Sequence, residues 1–309
     1  MIFSAALRAK ARAALRQHWQ TALLIALIVN LPTLLVQGIS AFTNSDVTLR
    51  LENLLLQASG NTAAMNALPD SIRAMLAESG VIAMTFLGVL AWLVTPVLSI
   101  GMAHWTLERL RGQELPVSTV FSRLGIFFKS IGLRLFITLK VLLWMLPGFA
   151  LTLVSMFLLF RMDSNTGMII TPAAGFILLL LYSGLIGMIV LGVMGYLYYA
   201  MAELILADEP EERVLSCARR SKVLMKGRRS RLMSLYMAFI PWYLLVLFGS
   251  SLIDGIAGPV IGLVAQMLGS LFLNAYILAS EGAFYEVLRL APAEDMHVGI
   301  SPDDPQDPD

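Results

Sequence analysis

Six long apolar runs recur along the chain, and short polar segments rich in lysine and arginine separate them. A bilayer core needs about 20 predominantly apolar residues per helix, whereas a soluble domain shows shorter amphipathic elements. The pattern predicts membrane-spanning helices near residues 19–42, 80–104, 131–160, 173–206, 232–253 and 259–288. The predicted fold class is all-α, a polytopic membrane bundle of six transmembrane helices with amphipathic interfacial helices.

Composition supports the same class, because 58% of the residues are hydrophobic and only 14% are charged. A soluble domain is about 25% charged. The single cysteine, Cys217, excludes an intrachain disulfide, and the three histidines lack metal-ligand spacing. The sequence contains no phosphate-binding glycine loop and no nucleophile elbow, so we expect no cofactor, no metal and no catalytic residue. The basic residues lie in blocks between spans, so no nucleic acid partner is expected.

The distribution of these basic blocks predicts the orientation. They occur before span one, after span two and after span four, whereas the opposite side carries only Arg50, Arg73 and Arg161. Because short basic loops stay in the cytoplasm, we predict a multi-pass protein of the cell membrane with both termini cytoplasmic. Residues 1–290 form the predicted membrane domain. Residues 291–309 have six acidic residues and no lysine or arginine, which is typical of a disordered cytoplasmic tail.

The two large basic loops match each other at an offset of 97 residues. Apolar stripes at helical spacing begin at Val117 and Val214, and three pairs of basic residues coincide at this offset. The ends of the even-numbered spans are also alike, since a tyrosine precedes a glutamate by five residues twice: Tyr198 and Glu203, Tyr276 and Glu281. Glu108 holds the corresponding place after span two. We therefore predict three copies of one unit, an interfacial helix followed by a helical hairpin, although any multispanning protein shows basic entry points and apolar stripes.

Lys140 is the most unusual residue, because it lies about nine positions inside span three. An ionisable group in hydrocarbon is usually paired or faces water, and depth matching predicts Glu281, before Glu203, as its partner. Snorkelling of the lysine toward the interface is the alternative. The candidate intramembrane polar cluster comprises Lys140, Glu203, Gln266, Asn274 and Glu281. Ordinary helix packing is the alternative for the polar residues of span six.

The basic loops are candidate contacts for anionic lipid headgroups, each cation contributing about 1 kcal/mol near the surface. The candidate residues are Arg123, Lys129, Arg134, Arg219, Arg220, Lys222, Lys226, Arg228, Arg229 and Arg231. Topology determination alone is the alternative role. The expected partners are membrane lipids, with a protein partner or a second copy of the chain as alternatives.

Four segments, Tyr199–Pro210, Ser221–Gly227, Ala238–Trp242 and Ala283–Glu286, resemble a bacterial integral-membrane family. The family is catalogued as domain of unknown function nine hundred and seventy-five. In that family a glycine commonly precedes the tryptophan, whereas Pro241 stands here, which affects the expected kink of span five. The resemblance implies a multispanning bacterial membrane protein with no established activity and no catalytic residues.

Three functions are compatible with these patterns. The leading hypothesis is a non-enzymatic membrane module that engages lipids or partner proteins through its interfacial helices. The alternative is a transporter of a small solute or a lipid, with a site between repeats. An intramembrane enzyme using Glu203, Glu281 or His104 as acid or base is a weaker alternative, because the sequence offers no nucleophile–base pair and no metal set.

Overall fold

A computed structural model describes residues 2–16, 18–58, 67, 70–72, 81–161 and 172–290. This part of the chain is helical and contains no strand. Its α-helices are α1 (Ile2–Leu15), α2 (Trp19–Ala58), α3 (Val81–Leu110), α4 (Phe127–Arg161), α5 (Pro172–Tyr199), α6 (Ala202–Asp208), α7 (Val214–Leu224), α8 (Arg229–Met237), α9 (Ile240–Ala257) and α10 (Pro259–Arg289). A 3₁₀ helix, Val117–Ile126, precedes α4.

Six stretches of the described helices are long and apolar enough to cross a membrane. They are Trp19–Ile39, Ala83–Leu110, Val117–Leu159, Gly175–Asp208, Arg229–Ala257 and Pro259–Arg289. The predicted all-α fold with six spans is therefore confirmed. Large apolar side chains such as Phe157, Ile186 and Leu245 point out of the bundle and are more than half exposed. Such a surface is stable in contact with lipid, whereas exposing each of these side chains to water is unfavourable.

Consecutive spans pack as helical hairpins, α2 with α3, α4 with α5, and α9 with α10. The second hairpin is the tightest, and glycines allow it. A side chain at Gly148 would overlap the backbone of Met188, and one at Gly184 would overlap Thr152. Small residues of this kind let membrane helices approach closely, so dispersion contacts replace the hydrophobic effect that is missing in lipid.

The first span differs from the expectation at its outer end. The span was predicted to end near residue 42, but residues 43–58 continue α2, which has 40 residues and includes Pro32. At 1.5 Å per residue such a helix is about 60 Å long, roughly twice the thickness of a bilayer core. Most of residues 59–80 and the whole predicted tail, 291–309, lie outside the described residues.

The buried core lies at one end of the bundle, which we call the basic end. It is formed by α1, the 3₁₀ helix, α6, α7 and the adjoining ends of the spans. Each segment that precedes a hairpin packs here on another hairpin: α1 on α10, the 3₁₀ helix on α3, and α7 on α5 and α6. The hairpins are thereby joined in a closed cycle.

Three contacts make this cycle specific. Gly101 of α3 lies so close to the carbonyl group of Val120 that any side chain there would overlap it. The hydroxyl of Ser221 donates to the carbonyl oxygen of Tyr198 at 3.1 Å. The hydroxyl of Tyr276 donates to the carbonyl oxygen of Arg8 at 3.4 Å. Gly101, Tyr198 and Tyr276 are separated by 97 and 78 residues, the offsets found in the sequence. The three-copy repeat itself stays a prediction.

The two matched loops use their apolar stripes differently. In α7 the stripe is buried in the protein core, with Cys217 and Ser221 fully inaccessible. In the 3₁₀ helix only Val120 is buried, whereas Phe121 and Leu124 are 45% and 48% exposed. Residues i and i+3 eclipse each other in a 3₁₀ helix, so the side of Val120 faces α3 and the rest of the stripe turns outward.

Candidate functional site

An ionic cluster at the basic end is centred on Arg111, directly after α3. Its guanidinium donates from Nη1 to Glu108 Oε1 and to Asp208 Oδ1, both at 2.8 Å. It also donates to Glu286 Oε1, from Nη2 at 2.7 Å and from Nε at 2.9 Å. The cluster therefore connects the ends of the second, fourth and sixth spans.

The surroundings of this cluster favour its charged form. The side chains of Asp208 and Glu286 are only 8% and 9% exposed. The hydrogen bond to Asp208 raises the pKa of Arg111 above its ordinary value, so the guanidinium stays charged at any physiological pH. Arg289 lies farther away, 3.6 Å from Asp208 and 4.0 Å from Glu286. With one central cation holding three carboxylates, the arrangement is suited to clamping helices together.

Sequence reasoning missed this cluster, although a signal for it was present. Arg111 and Asp208 are 97 residues apart, which is the offset of the two basic loops. Asp208 and Glu286 are 78 residues apart, as are Tyr198 and Tyr276. At these offsets Arg111, Asp208 and Glu286 hold the same position in the three predicted units, and their side chains meet in the structure.

The predicted intramembrane cluster is only partly brought together. Glu203 and Glu281 lie near each other, within electrostatic range. Arg134 Nη2 lies 3.2 Å from Glu203 Oε1 and donates to Glu203 Oε2 at 3.4 Å. The buried hydroxyl of Tyr236 lies beside Glu281. This group joins α4, α6, α8 and α10.

The predicted pairing of Lys140 with Glu281 is not formed. In the described part of the chain Lys140 makes no ion pair, and its amine lies over the ring of Phe136 at 5.6 Å from the centroid. The carboxylate side of α4 is occupied by Arg134. Lys140 follows six residues later, which turns it about 120° around the helix from Arg134. Depth matching predicted how deep Lys140 lies in the membrane, but it did not predict on which side of α4 the lysine lies.

Gln266 and Asn274 lie apart from these carboxylates. The amide of Asn274 donates to Asn30 Oδ1 at 3.3 Å, which links the sixth span to the first. Gln266 is exposed on the outer part of α10. The polar stripe of span six therefore lines no enclosed cavity in the described structure.

Several of the ten candidate headgroup residues are engaged within the protein, and Arg123, Lys129, Arg134 and Arg220 are among them. Arg123 contacts His104 Nδ1 at 3.1 Å, and Lys129 donates to the carbonyl oxygen of Pro210 at 2.9 Å. Arg134 holds Glu203, and Arg220 holds Glu209 at 2.6 Å. The remaining six are Arg219, Lys222, Lys226, Arg228, Arg229 and Arg231, of which all but Arg228 and Arg229 are exposed. Arg219 and Lys222 form no ion pair with any described residue.

Two clefts open where hairpins meet. The first, about 400 Å³, lies between the first three spans and is lined by Thr33, Thr95, Thr138 and Arg134 among others. The second, about 680 Å³, lies between α5 and α8 and is almost entirely apolar, with Arg229 and Ser230 at one end. A third, polar cavity of about 260 Å³ lies beside His18 and Glu114. Among the described residues no group of three or more histidine, cysteine, aspartate and glutamate residues could hold a metal ion.

The fold and the exposed apolar surface define a multi-pass membrane protein of the all-α class. Over residues 1–291 the chain matches the family described as Protein of unknown function (DUF975), and it belongs to that family. This confirms the resemblance found in the sequence. Comparison with curated proteins and with solved structures gave no match.

Proposed function

We propose that the protein is a non-enzymatic module of the bacterial cytoplasmic membrane that engages anionic lipids at its basic end. The observation that carries the proposal is the outward face of α7. Leu215, Arg219, Lys222 and Val223 follow one another at helical spacing and are all exposed, while the opposite face is buried. Exposed aliphatic side chains next to cations that form no ion pair with the described residues suit the boundary between acyl chains and headgroups.

The 3₁₀ helix and the start of α4 add apolar area at the same end of the bundle. Phe121 and Leu124 are about half exposed and Phe128 is 86% exposed. Aromatic side chains of this kind are stable in the interfacial layer of a bilayer and unfavourable in water. The basic end therefore offers two surfaces on which lipids can rest.

The lipid preference is tested on Arg219→Gln/Lys222→Gln, compared with the charge-conserving control Arg219→Lys/Lys222→Arg. Each protein is reconstituted in vesicles of phosphatidylglycerol and phosphatidylcholine and extracted, and the ratio of the lipids that co-purify is measured. At about 1 kcal/mol per cation, we expect enrichment of the anionic lipid that falls several-fold in the glutamine variant and with added salt. Equal lipid ratios in the wild type and in the bulk vesicles would reject the proposal.

Orientation is tested by labelling introduced cysteines in intact cells. Ala67→Cys, between the first and second spans, should react with an impermeant maleimide. Gln113→Cys, at the basic end, should react only after permeabilisation. Native Cys217 is fully buried, so it serves as a silent background and gives no information on sidedness. Labelling of Gln113→Cys in intact cells would reverse the proposed orientation.

Transport of a small polar solute is a second candidate function, and the cleft between the first three spans favours it. Three threonine hydroxyls and Arg134 line about 400 Å³ of this cleft. Hydroxyls and a guanidinium can replace water around a polar solute. Light scattering of proteoliposomes challenged with glycerol tests this function, with Thr138→Trp as the variant that fills the cleft. A shrinkage and recovery rate equal to that of protein-free vesicles would reject it.

A further inference from the structure

We propose that the cleft between α5 and α8 is a binding site for one anionic phospholipid, with the phosphate at Arg229 and Ser230 and an acyl chain in the apolar part. The site rests on the proposed function, because its ligand comes from the same lipid layer. It differs from the α7 surface in being a defined cleft for a single molecule.

The cleft has the size and lining of a ligand site. Its volume is about 680 Å³, and small-molecule sites typically measure about 300–1,000 Å³. Val190, Val193 and Leu197 line it on α5, and Met233 and Met237 line it on α8. Methionine side chains adapt their shape to a flexible ligand, which suits an acyl chain.

One end of the cleft is cationic and preorganised. The guanidinium of Arg229 lies 3.5 Å from the centroid of the Tyr198 ring, a stacked arrangement that fixes its position. Its Nε is buried and has no hydrogen-bond partner, and no described carboxylate forms an ion pair with it. A guanidinium has five donors, and buried donors without acceptors are unfavourable. A phosphate group would supply the missing acceptors in bidentate geometry.

The start of α8 adds further donors at the same end. Arg228 is the residue that caps this helix, and its side chain makes no capping hydrogen bond. The first backbone amides of a helix have no partner within the helix and favour an anion. Ser230 lines the cleft beside them and provides a hydroxyl group.

Polarity along the cleft favours an anionic lipid over other occupants. Its apolar lining extends on α5 from Leu197 back to Ile189, about 12 Å along the helix, so a free phosphate would leave most of the cleft unfilled. No acidic residue lines the cleft, so the ammonium group of a zwitterionic lipid would find no carboxylate. The other cleft shows the contrast, because its arginine, Arg134, is already neutralised by Glu203.

Native mass spectrometry of the detergent-solubilised protein tests the site, with phosphatidylglycerol and phosphatidylcholine added separately. The wild type should retain one phosphatidylglycerol more tightly than any further lipid. Arg229→Gln should raise the Kd of that lipid about tenfold, which corresponds to about 1.4 kcal/mol. The matched control Arg219→Gln, on the exposed face of α7, should leave this tight binding unchanged.

A second variant acts on the apolar part and leaves the arginine in place. Val193→Phe fills the cleft from the lipid-facing surface of α5, so the protein should remain folded while the tight lipid is lost. Retention of the lipid by Val193→Phe, or equal effects of Arg229→Gln and Arg219→Gln, would overturn the site while the proposed function stands. Displacement of the lipid by inorganic phosphate would also overturn it. A wild type without any preference for phosphatidylglycerol would refute the site and the proposed function together.

Discussion

Replacement of Arg111 by methionine should be among the most destabilising single substitutions at the basic end. Methionine keeps much of the volume but leaves Glu108, Asp208 and Glu286 facing one another. Among the described residues the cation that would remain paired with them is Arg289, at 3.6 and 4.0 Å from two of the three carboxylates. Removing one partner of a buried ion pair costs about 3–5 kcal/mol. Because the Arg111 side chain is 23% exposed, we expect the lower part of that range, about 3 kcal/mol.

The assay uses the buried thiol of Cys217, which becomes reactive only when the basic end opens. Membrane proteins often unfold irreversibly, so the rate of labelling in detergent is measured in place of an equilibrium constant. If the loss appears entirely in the unfolding rate, about 3 kcal/mol corresponds to labelling faster by about two orders of magnitude.

Two comparisons make the result specific to the ionic cluster. Arg289→Met removes a cation that is 44% exposed and more distant, so its effect should stay below about 1 kcal/mol. Adding Asp208→Asn and Glu286→Gln to Arg111→Met should restore part of the stability, because the repulsion is then removed. Equal labelling rates for Arg111→Met and Arg289→Met would refute the idea that Arg111 holds the spans together.

Three further predictions concern single side chains. Lys140→Met should change the free energy of unfolding by less than about 1 kcal/mol, because among the described residues Lys140 contacts the Phe136 ring and forms no ion pair. Strong coupling to a carboxylate in a double-mutant cycle would contradict this. Burial raises the pKa of the Cys217 thiol to about 11, so at pH 8 about one molecule in a thousand should carry the thiolate and the folded protein should resist alkylation. Rapid alkylation of the folded protein would contradict the burial of Cys217. The hydrogen bond from Arg220 lowers the pKa of Glu209 below its ordinary 4.5, so Arg220→Gln should lower the free energy of unfolding by less than about 1 kcal/mol above pH 4.5. Thermal unfolding curves of the wild type and the variant should become equal as the pH falls through the pKa of Glu209 in the folded protein.

The spans could be predicted from the sequence because the bilayer imposes a simple rule. Each crossing needs about 20 apolar residues in a helix, since no other backbone conformation of a single segment satisfies its hydrogen bonds in lipid. The structure accordingly has a helix at each of the six positions. The continuation of α2 to Ala58 was not predicted, because polar residues such as Asn44 and Asp46 interrupt the apolar run without ending the helix.

The polar contacts could be predicted only in part, because they depend on rotation and on packing between distant segments. Lys140 shows the limit, since its depth follows from counting residues but its direction depends on how α4 is turned. The Arg111 cluster shows the opposite case. Three of its members, Arg111, Asp208 and Glu286, occupy equivalent positions by the offsets of the sequence, so comparing polar residues at those offsets would have suggested their meeting.

The packing of α1 on α10 has a consequence for the order in which the chain is completed. Arg8 and Tyr276, which meet in the folded protein, are 268 residues apart, so roughly 15–50 s of synthesis separate them. During that time the apolar side of α1, with Leu7, Ala11 and Leu15, lacks the α10 surface and can pack only on earlier helices such as α3. It must rest on the membrane surface until the last span arrives. A ribosome that stalls before α10 therefore leaves a chain in which the apolar side of α1 lacks the α10 surface. Proteases that remove incomplete membrane proteins can recognise this exposed apolar side.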